Sequence, residues 1–324
     1  MFVSVIIPNY NGAHLLPTCL DSLRAQRWSD HEVIVVDNAS SDNSRELLSR
    51  EYPEVRVIAL DRNRYFAGAV NVGIRASHAP AVALLNNDTE ADRAWLSELC
   101  RGLATHPEVG MVASKMLLFD RRNVINSAGD FYRVDGVPGN RGVWEVDEGQ
   151  YDREEAVFGP CAGAALYRRS MLDDIGLFDE DLVAYCEDVD LSWRAQLAGW
   201  SCLYVPTARV YHRLSSTGGG PFASYYCGRN FINVAIKNLP ASVVRQHWPR
   251  ILLAQLRLAA EAIAHAREPA ARARLRGQVA ALRQLPLMLR KRREVQSLRR
   301  VDDAYLVSLL APLPRARQGK DRKG

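Results

Sequence analysis

The sequence predicts an α/β protein, a mostly parallel sheet flanked by helices and followed by a basic α-helical extension. Three observations carry this reading. Short β-rich runs alternate with amphipathic stretches through the first third of the chain, and βαβα order sets strands parallel with helices covering the sheet. The 324 residues, 48% hydrophobic and 24% charged, can bury a sizeable core and exclude disordered and collagen-like classes. Charge is unevenly divided: through Pro240 there are 23 basic and 31 acidic residues, net −8, whereas beyond it there are 19 and 6, net +13. Ala, Leu and Arg dominate from about Val243 to Arg300, so a boundary is placed near Asn238 to His247, dividing 1–240 from a helical, basic 241–324.

The elements follow in order. Val3 to Ile7 reads as a strand, His14 to Gln26 as a helix, Glu32 to Val36 as a strand and Ser44 to Glu51 as a helix. Val55 to Leu60, a helix near Ala67 to Ala76, the apolar run Ala81 to Leu85, a helix near Ala94 to Thr105 and a strand at Gly110 to Ala113 continue the alternation. Phe119 to Phe158 is rich in Gly, Asp and Arg without helical period, which predicts a loop-rich insertion with short strands. Val189, Trp193, Leu197 and Trp200 form a helical apolar stripe. Six scattered cysteines without a CxxC pair fit a reduced, cytosolic setting. The N-terminus lacks the pattern of a signal peptide, and no uncharged apolar run is long enough to span a membrane.

In open α/β sheets ligands bind where strands end, so the residues after each strand are the candidates. Pro8, Asn9, Tyr10, Asn11 and Gly12 form a polar loop entering a helix, where backbone N–H groups and the Tyr10 ring could meet a base or a phosphate; a plain turn explains it as well. Asp37 ends the second strand, and its acceptor-only carboxylate suits a base imide or a ribose hydroxyl. Asp42 reads instead as a helix-entry residue. From Asn63 to Gly73 small residues recur on one helix, as close packing demands. Asp88, after the buried run ending in Leu85, stands where a hard divalent cation could be held, although a turn or cap also places Asp at strand ends. An acid-rich stretch holding Glu187 and Asp188 opens the helix of Trp193. The helix dipole accounts for some of those acids. Since residues diverge by about 100° along a helix, Glu187 and Asp188 cannot both face one centre, so one acts and the other supports it. His212, Arg213, Ser215, Ser216, Thr217 and three glycines follow a strand-like run, a set suited to a metal and a diphosphate or, more blandly, to a structural turn.

Together these segments resemble the inverting family 2 glycosyltransferases of GT-A fold, a Rossmann-like architecture, and among them the bacterial rhamnosyltransferase-like members that build surface polysaccharides. The resemblance covers about Met1 to Asn238 and rests on VIIPNYNG, VVDNASSDNS, NRYFAGAVNVGI, LLNNDT, GPCAGAALYRRS, GLFDEDLVAYCEDVDLSWR and YHRLSST, in the family's order. It implies a nucleotide half at about 1–115 and an acceptor half at about 116–240. Pro8, Tyr10, Asp37, Asn38 and Asn86 would bind the nucleotide of a nucleoside-diphosphate sugar. Asp88 and His212 would hold Mg²⁺ or Mn²⁺, Arg213 would meet the diphosphate, and Asp188, with Glu187 beside it, would act as catalytic base. Asn86 replaces the first carboxylate of the aspartate-x-aspartate motif, so the site brings less charge to a cation. The implied acceptor is a saccharide or a polyprenyl-linked glycan. A sugar-nucleotide binding protein without turnover and a nucleotidyltransferase are the alternatives; the intact Asp88, Asp188 and His212 argue against the first, and the cation-free Asn9 to Gly12 loop against the second.

The extension is read as helices lying on anionic lipid, through the apolar Trp248 to Ala264 stretch and Leu285 to Leu289 followed by Arg290 to Arg293. That reading places the protein in the cytoplasm, peripheral on the inner face of the membrane. The alternative is a helical face packed on the catalytic domain or on a second subunit, as in a homodimer. Nucleic acid is not expected, since the basic patch lacks interleaved aromatics.

Overall fold

The computed structural model describes residues 1–214 and 219–313. Ser215, Ser216, Thr217 and Gly218, noted above beside His212, and residues 314–324 lie outside the described residues. The first elements are β1 (Val3–Asn9), α1 (Leu16–Arg24), β2 (His31–Asp37), α2 (Ser44–Glu51), β3 (Arg56–Ala59), α3 (Tyr65–Ala76), β4 (Ala81–Leu85), β5 (Thr89–Ala91) and α4 (Trp95–Thr105). Next come β6 (Val109–Leu118), β7 (Ile125–Ser127), β8 (Asp130–Arg133), β9 (Pro138–Asn140), β10 (Glu155–Val157), β11 (Ala164–Arg168), α5 (Arg169–Ile175), a 3-10 turn (Glu180–Leu182), α6 (Glu187–Leu197) and β12 (Ser201–His212). The chain continues with α7 (Gly220–Asn238), α8 (Ala241–Ala264), α9 (Pro269–Ser297), α10 (Asp303–Ser308) and β13 (Leu310–Ala311).

The main sheet runs β10-β12-β6-β11-β4-β1-β2-β3, with β5 on β12 and β7 on β6. From β3 to β4 all neighbours are parallel. Beyond β4 the sheet is mixed, because β11 lies antiparallel between β4 and β6. The strand that follows α4 in sequence is therefore not the one beside β4. β4 is buried along its whole length, and a strand so placed needs hydrogen-bonding partners on both edges.

Apolar side chains on both faces of the strands make two core layers. Val3, Val5 and Ile7 pack with Leu20, Trp95 and Leu99 on one side, and Ile6, Ile34 and Val36 with Val70 and Ile74 on the other. The close packing expected of the 63–73 segment is present: a Cβ on Gly73 would stand 2.4 Å from Ile6 Cγ2. Asp42 does sit at a helix entry, accepting from Ser44 N–H at 3.1 Å.

Helix α7 was not apparent from periodicity, because Arg229, Asn230, Asn233, Lys237 and Asn238 are buried among its apolar residues and blur the stripe. α9 runs along α7 at close range. A Cβ on Gly277 would stand 2.1 Å from Tyr225 O, and one on Gly228 2.5 Å from Arg274 O. Ion pairs add to this docking: Lys291 Nζ is 2.5 Å from both Asp179 and Asp181, Lys237 joins Asp179 to Asp190, and Arg300 grips Asp174 through two 2.7 Å bonds. β13 pairs with β8 in a second small sheet, β13-β8-β9.

Candidate functional site

The carboxyl ends of β1, β2 and β4 converge. Asn9 and Asp37 are register partners, and Asn9 Nδ2 stands 3.4 Å from both Asp37 Oδ1 and Ser40 Oγ, while Asn87 Nδ2 donates to Asn9 Oδ1 at 2.7 Å. The Asp37 carboxylate is fully buried, yet its bonds from Asn9 and from Ser40 N–H are long, 3.4 Å each, and Arg45 Nε is 3.6 Å away. It retains acceptor capacity for another donor. Pro8 is half-buried at the end of β1, and Tyr10 is exposed beside it. Asn38 is placed differently: its Nδ2 donates to Asn63 Oδ1 at 2.9 Å and to Tyr65 O at 3.1 Å, and its Oδ1 accepts from Arg64 N–H at 2.7 Å. Its amide therefore clasps the loop that enters α3.

Asn86 leaves β4 half-buried, with its N–H bonded to Gly163 O at 2.9 Å. Two residues on, Asp88 meets His212, because β5 pairs antiparallel with β12 and sets Thr89 opposite His212. His212 Nδ1 donates to Asn126 Oδ1 at 2.8 Å, so in a neutral ring the lone pair lies on Nε2. That nitrogen stands 3.2 Å from Asp88 Oδ1, a buried oxygen with no hydrogen-bond partner among the described residues. Two acceptors facing one another need a proton or a cation between them, and the spacing suits two ligands of one divalent ion. Among the described residues no third His, Cys, Asp or Glu completes a cluster, so the remaining positions would fall to oxygens from outside the chain. Arg213 adjoins the pair: its N–H donates to Asp88 O at 2.9 Å and its guanidinium lies 3.6 Å from the Phe119 ring centroid.

Helix α6 opens with Glu187 and Asp188. Asp188 Oδ2 accepts from Ala162 N–H at 3.2 Å and Oδ1 from Val189 N–H at 2.8 Å. Ala162 precedes Gly163, which bonds Asn86, so one short loop connects Asp188 to the turn that carries Asp88. The structure thus joins Asp88 to His212 and Arg213, and links Asn86 to Asp188 through the 161–163 loop, with Asp37 adjoining through Asn9 and Asn87. Burial pushes the Asp188 carboxyl above its usual range, against the lowering effect of those two backbone bonds. Its ionisation is therefore less ready than that of a free aspartate. Glu187 is shifted farther: burial and then the Asp188 charge hold it well above the ordinary value, and its Oε2 has no partner among the described residues. The two neighbours thus sit in different electrostatic surroundings. Asp190, two residues on, belongs to the ion-pair cluster; burial would raise it, but Lys237 and Arg194 lower it.

Several residues here were missed from the sequence. Asn9 and Asn87 lie inside quoted segments, and their polar type at strand ends was a usable signal. Asp130 on β8 was not: it sits in the insertion without period, yet burial and then the Asp188 charge hold its carboxyl well above the usual range. Nor was the backbone that feeds α6. Val183, Tyr185 and Cys186 all have φ between 64° and 68°, sparsely populated for residues with a Cβ and concentrated at functional sites. Asn230 Nδ2 holds this turn, donating to Leu182, Ala184 and Tyr185 carbonyls at 2.7–3.0 Å.

The chain is similar to known proteins in sequence and fold. The chain is 23% identical to the poly-beta-1,6-N-acetyl-D-glucosamine synthase of Staphylococcus aureus over 67% of its own length and 51% of the synthase. It spans only a quarter to about half of the length of the curated relatives it matches. Among solved structures, TarS 1-349 of S. aureus in complex with UDP superposes with a TM-score of 0.55 at 20% identity, covering 78% of this chain and 71% of that one. The mannosyltransferase PcManGT of Pyrobaculum calidifontis, in complex with GDP-Man and Mn²⁺, gives 0.55 at 20% identity over 95% and 85%. The fold is the GT-A fold of these glycosyltransferases. Residues 4–176, more than half of the chain, match the family model itself, and the chain belongs to glycosyl transferase family 2.

Proposed function

We propose that this chain transfers a sugar from a nucleoside-diphosphate sugar to a hydroxyl of a saccharide or lipid-linked acceptor, inverting the anomeric carbon, in the synthesis of a cell-surface polysaccharide at the cytoplasmic face of the membrane. The observation that carries the reading is the Asp88–His212 pair at the carboxyl ends of the strands, with Asp188 tied to the same turn through the loop of Ala162 and Gly163. Asp37 and Tyr10 bind the base and ribose, Pro8 and Asn38 shape that pocket, and Asn86 meets a ribose hydroxyl. A UDP-sugar or dTDP-rhamnose is the favoured donor. The UDP complex of TarS supports the former, and the sequence resemblance the latter.

The acceptor oxygen attacks the anomeric carbon from the face opposite the diphosphate, its proton passes to an Asp188 carboxylate oxygen, and the bond from that carbon to the diphosphate oxygen breaks. Asp188 is better suited to this than Glu187 or Asp130, because both of its oxygens accept backbone N–H bonds that favour the ionised form, whereas burial and the Asp188 charge push the other two farther above the usual range. Asp88 and His212 would hold Mg²⁺ or Mn²⁺, and when bound the ion supplies positive charge to the departing diphosphate. Arg213 adds a fixed cation beside it.

The test is nucleoside-diphosphate release from a panel of UDP-, dTDP- and GDP-sugars with Mg²⁺, Mn²⁺ or chelator. Release with one donor, lost in chelator and in Asp188→Asn, is the expected result. No release and no nucleotide binding with any donor would overturn the reading, as would full turnover in folded Asp188→Asn.

A further inference from the structure

The basic extension is fixed to the rest of the molecule by the Gly228–Gly277 contact and the Lys291 ion pairs, yet it leaves apolar side chains in water. Helix α8 has two apolar faces. Val243, His247, Ala254 and Ala262 are buried. Trp248, Leu252, Leu256 and Ile263 are 56%, 51%, 57% and 63% exposed. At about 100° per residue those four fall within about 80° of one another, on the side away from Val243 and Ala254. On α9, Val279, Leu282 and Leu289 are 50%, 65% and 47% exposed. Gln278 Nε2 donates to Gln255 O at 3.1 Å, which sets Leu256 and Val279, each one residue away, at the same level of the helix pair.

Exposed arginines border the apolar stripes. Exposed Arg245 lies in line with the α8 stripe just ahead of Trp248, and Arg276, Arg283 and Arg290, seven residues apart, run along one edge of the α9 stripe. Residues 241–297 hold twelve Arg or Lys against three Glu. No helix among the described residues is long and apolar enough to cross a membrane. We propose that the outer face of α8 and α9 docks flat on an anionic phospholipid surface, its Trp and Leu side chains entering the acyl boundary and its arginines meeting phosphate headgroups. A second copy is a poorer occupant, since self-association of this face brings arginine against arginine with few acids to offset them. Because the plate is rigidly held, docking would fix the orientation of the whole molecule above the bilayer. The proposal stands independently of the transfer reaction.

Flotation of the full chain with phosphatidylglycerol–phosphatidylcholine vesicles, against pure phosphatidylcholine, tests it without any donor. The wild type is expected to float with the anionic vesicles at low salt, and to lose most of that binding without the anionic lipid or at high salt. Leu252→Gln with Leu256→Gln, and separately Arg283→Glu with Arg290→Glu, should each weaken binding by about tenfold or more while leaving the melting temperature and donor turnover in solution unchanged. All four side chains are solvent-exposed, so both variants fold. Failure to float on anionic vesicles, or flotation indifferent to both variants, would overturn the proposal, as would a stable dimer in sedimentation that the leucine variant dissociates.

Discussion

Asp188 and Glu187 are adjacent carboxyls in different electrostatic settings. Asp188 keeps two backbone donors; Glu187 has an oxygen with none among the described residues. Asp188→Asn keeps the shape and removes the proton acceptor, so turnover should fall by about 10²–10⁴ with donor binding retained, measured as nucleoside-diphosphate release beside nucleotide titration. Glu187 gives a stability prediction instead. Its folded carboxyl holds its proton well above the unfolded value, so as pH rises past the unfolded value the unfolded chain ionises first and folding is penalised. Glu187→Gln should therefore raise the melting temperature, by about 2 °C or more at pH 8 and by little at pH 4. An equal gain at both pH values would show that ionisation is not the cause. At Asp88 and His212, either change to Ala should abolish any stabilisation by Mn²⁺ in thermal unfolding, a readout independent of turnover.

At the scale of elements, the turn that delivers α6 is the one most dependent on a distant partner. Asn230→Ala removes three bonds to carbonyls of a left-handed turn and should cost about 2–4 kcal/mol in denaturant unfolding, together with a loss of turnover larger than any loss of donor affinity. Gly277→Val would force α9 away from Tyr225 and Arg229 and should destabilise by at least as much. The elements differ in how readable they are. Strands β1, β2 and β4 and helices α1 to α4 follow from local period, and Ser44–Glu51 and Ala81–Leu85 match the expected bounds. The motifs supplied Asp37, Asp88, Asp188 and His212, since each follows a strand or opens a helix. What escaped was non-local. Nothing in Ala164–Arg168 announces that it divides β4 from β6, nothing near Asp130 marks it as a neighbour of Asp188, and the amide of Asn38 could not be known to face Asn63. In each case the partner is set by tertiary packing rather than by the residue's own neighbours.

At the scale of the whole molecule, Lys291 and Arg300 of the basic extension dock on acids of the first 240 residues, and Lys237 joins two of those acids from its own side of the division. The acids at 174–190 and the cations at 237–300 are brought together as Asp179, Asp181 and Asp190 against Lys237 and Lys291, with Arg300 on Asp174. Burial opposes ionisation of Asp179, but the two lysines hold its carboxyl far below the usual range. Because these charges are partly desolvated, removing one partner is costly: Lys237→Met should destabilise strongly, and adding Asp190→Leu should recover part of the loss in a double-mutant cycle. The pairing of Leu310–Ala311 with Tyr132–Arg133 has a different bearing, on biosynthesis. A chain emerging from the ribosome can assemble β1 through α4 early, from contacts among neighbours in sequence. The strand that starts at Asp130 can pair early with β9, but its other partner is made only after nearly two hundred more residues, so this small sheet is completed well after the first βα units.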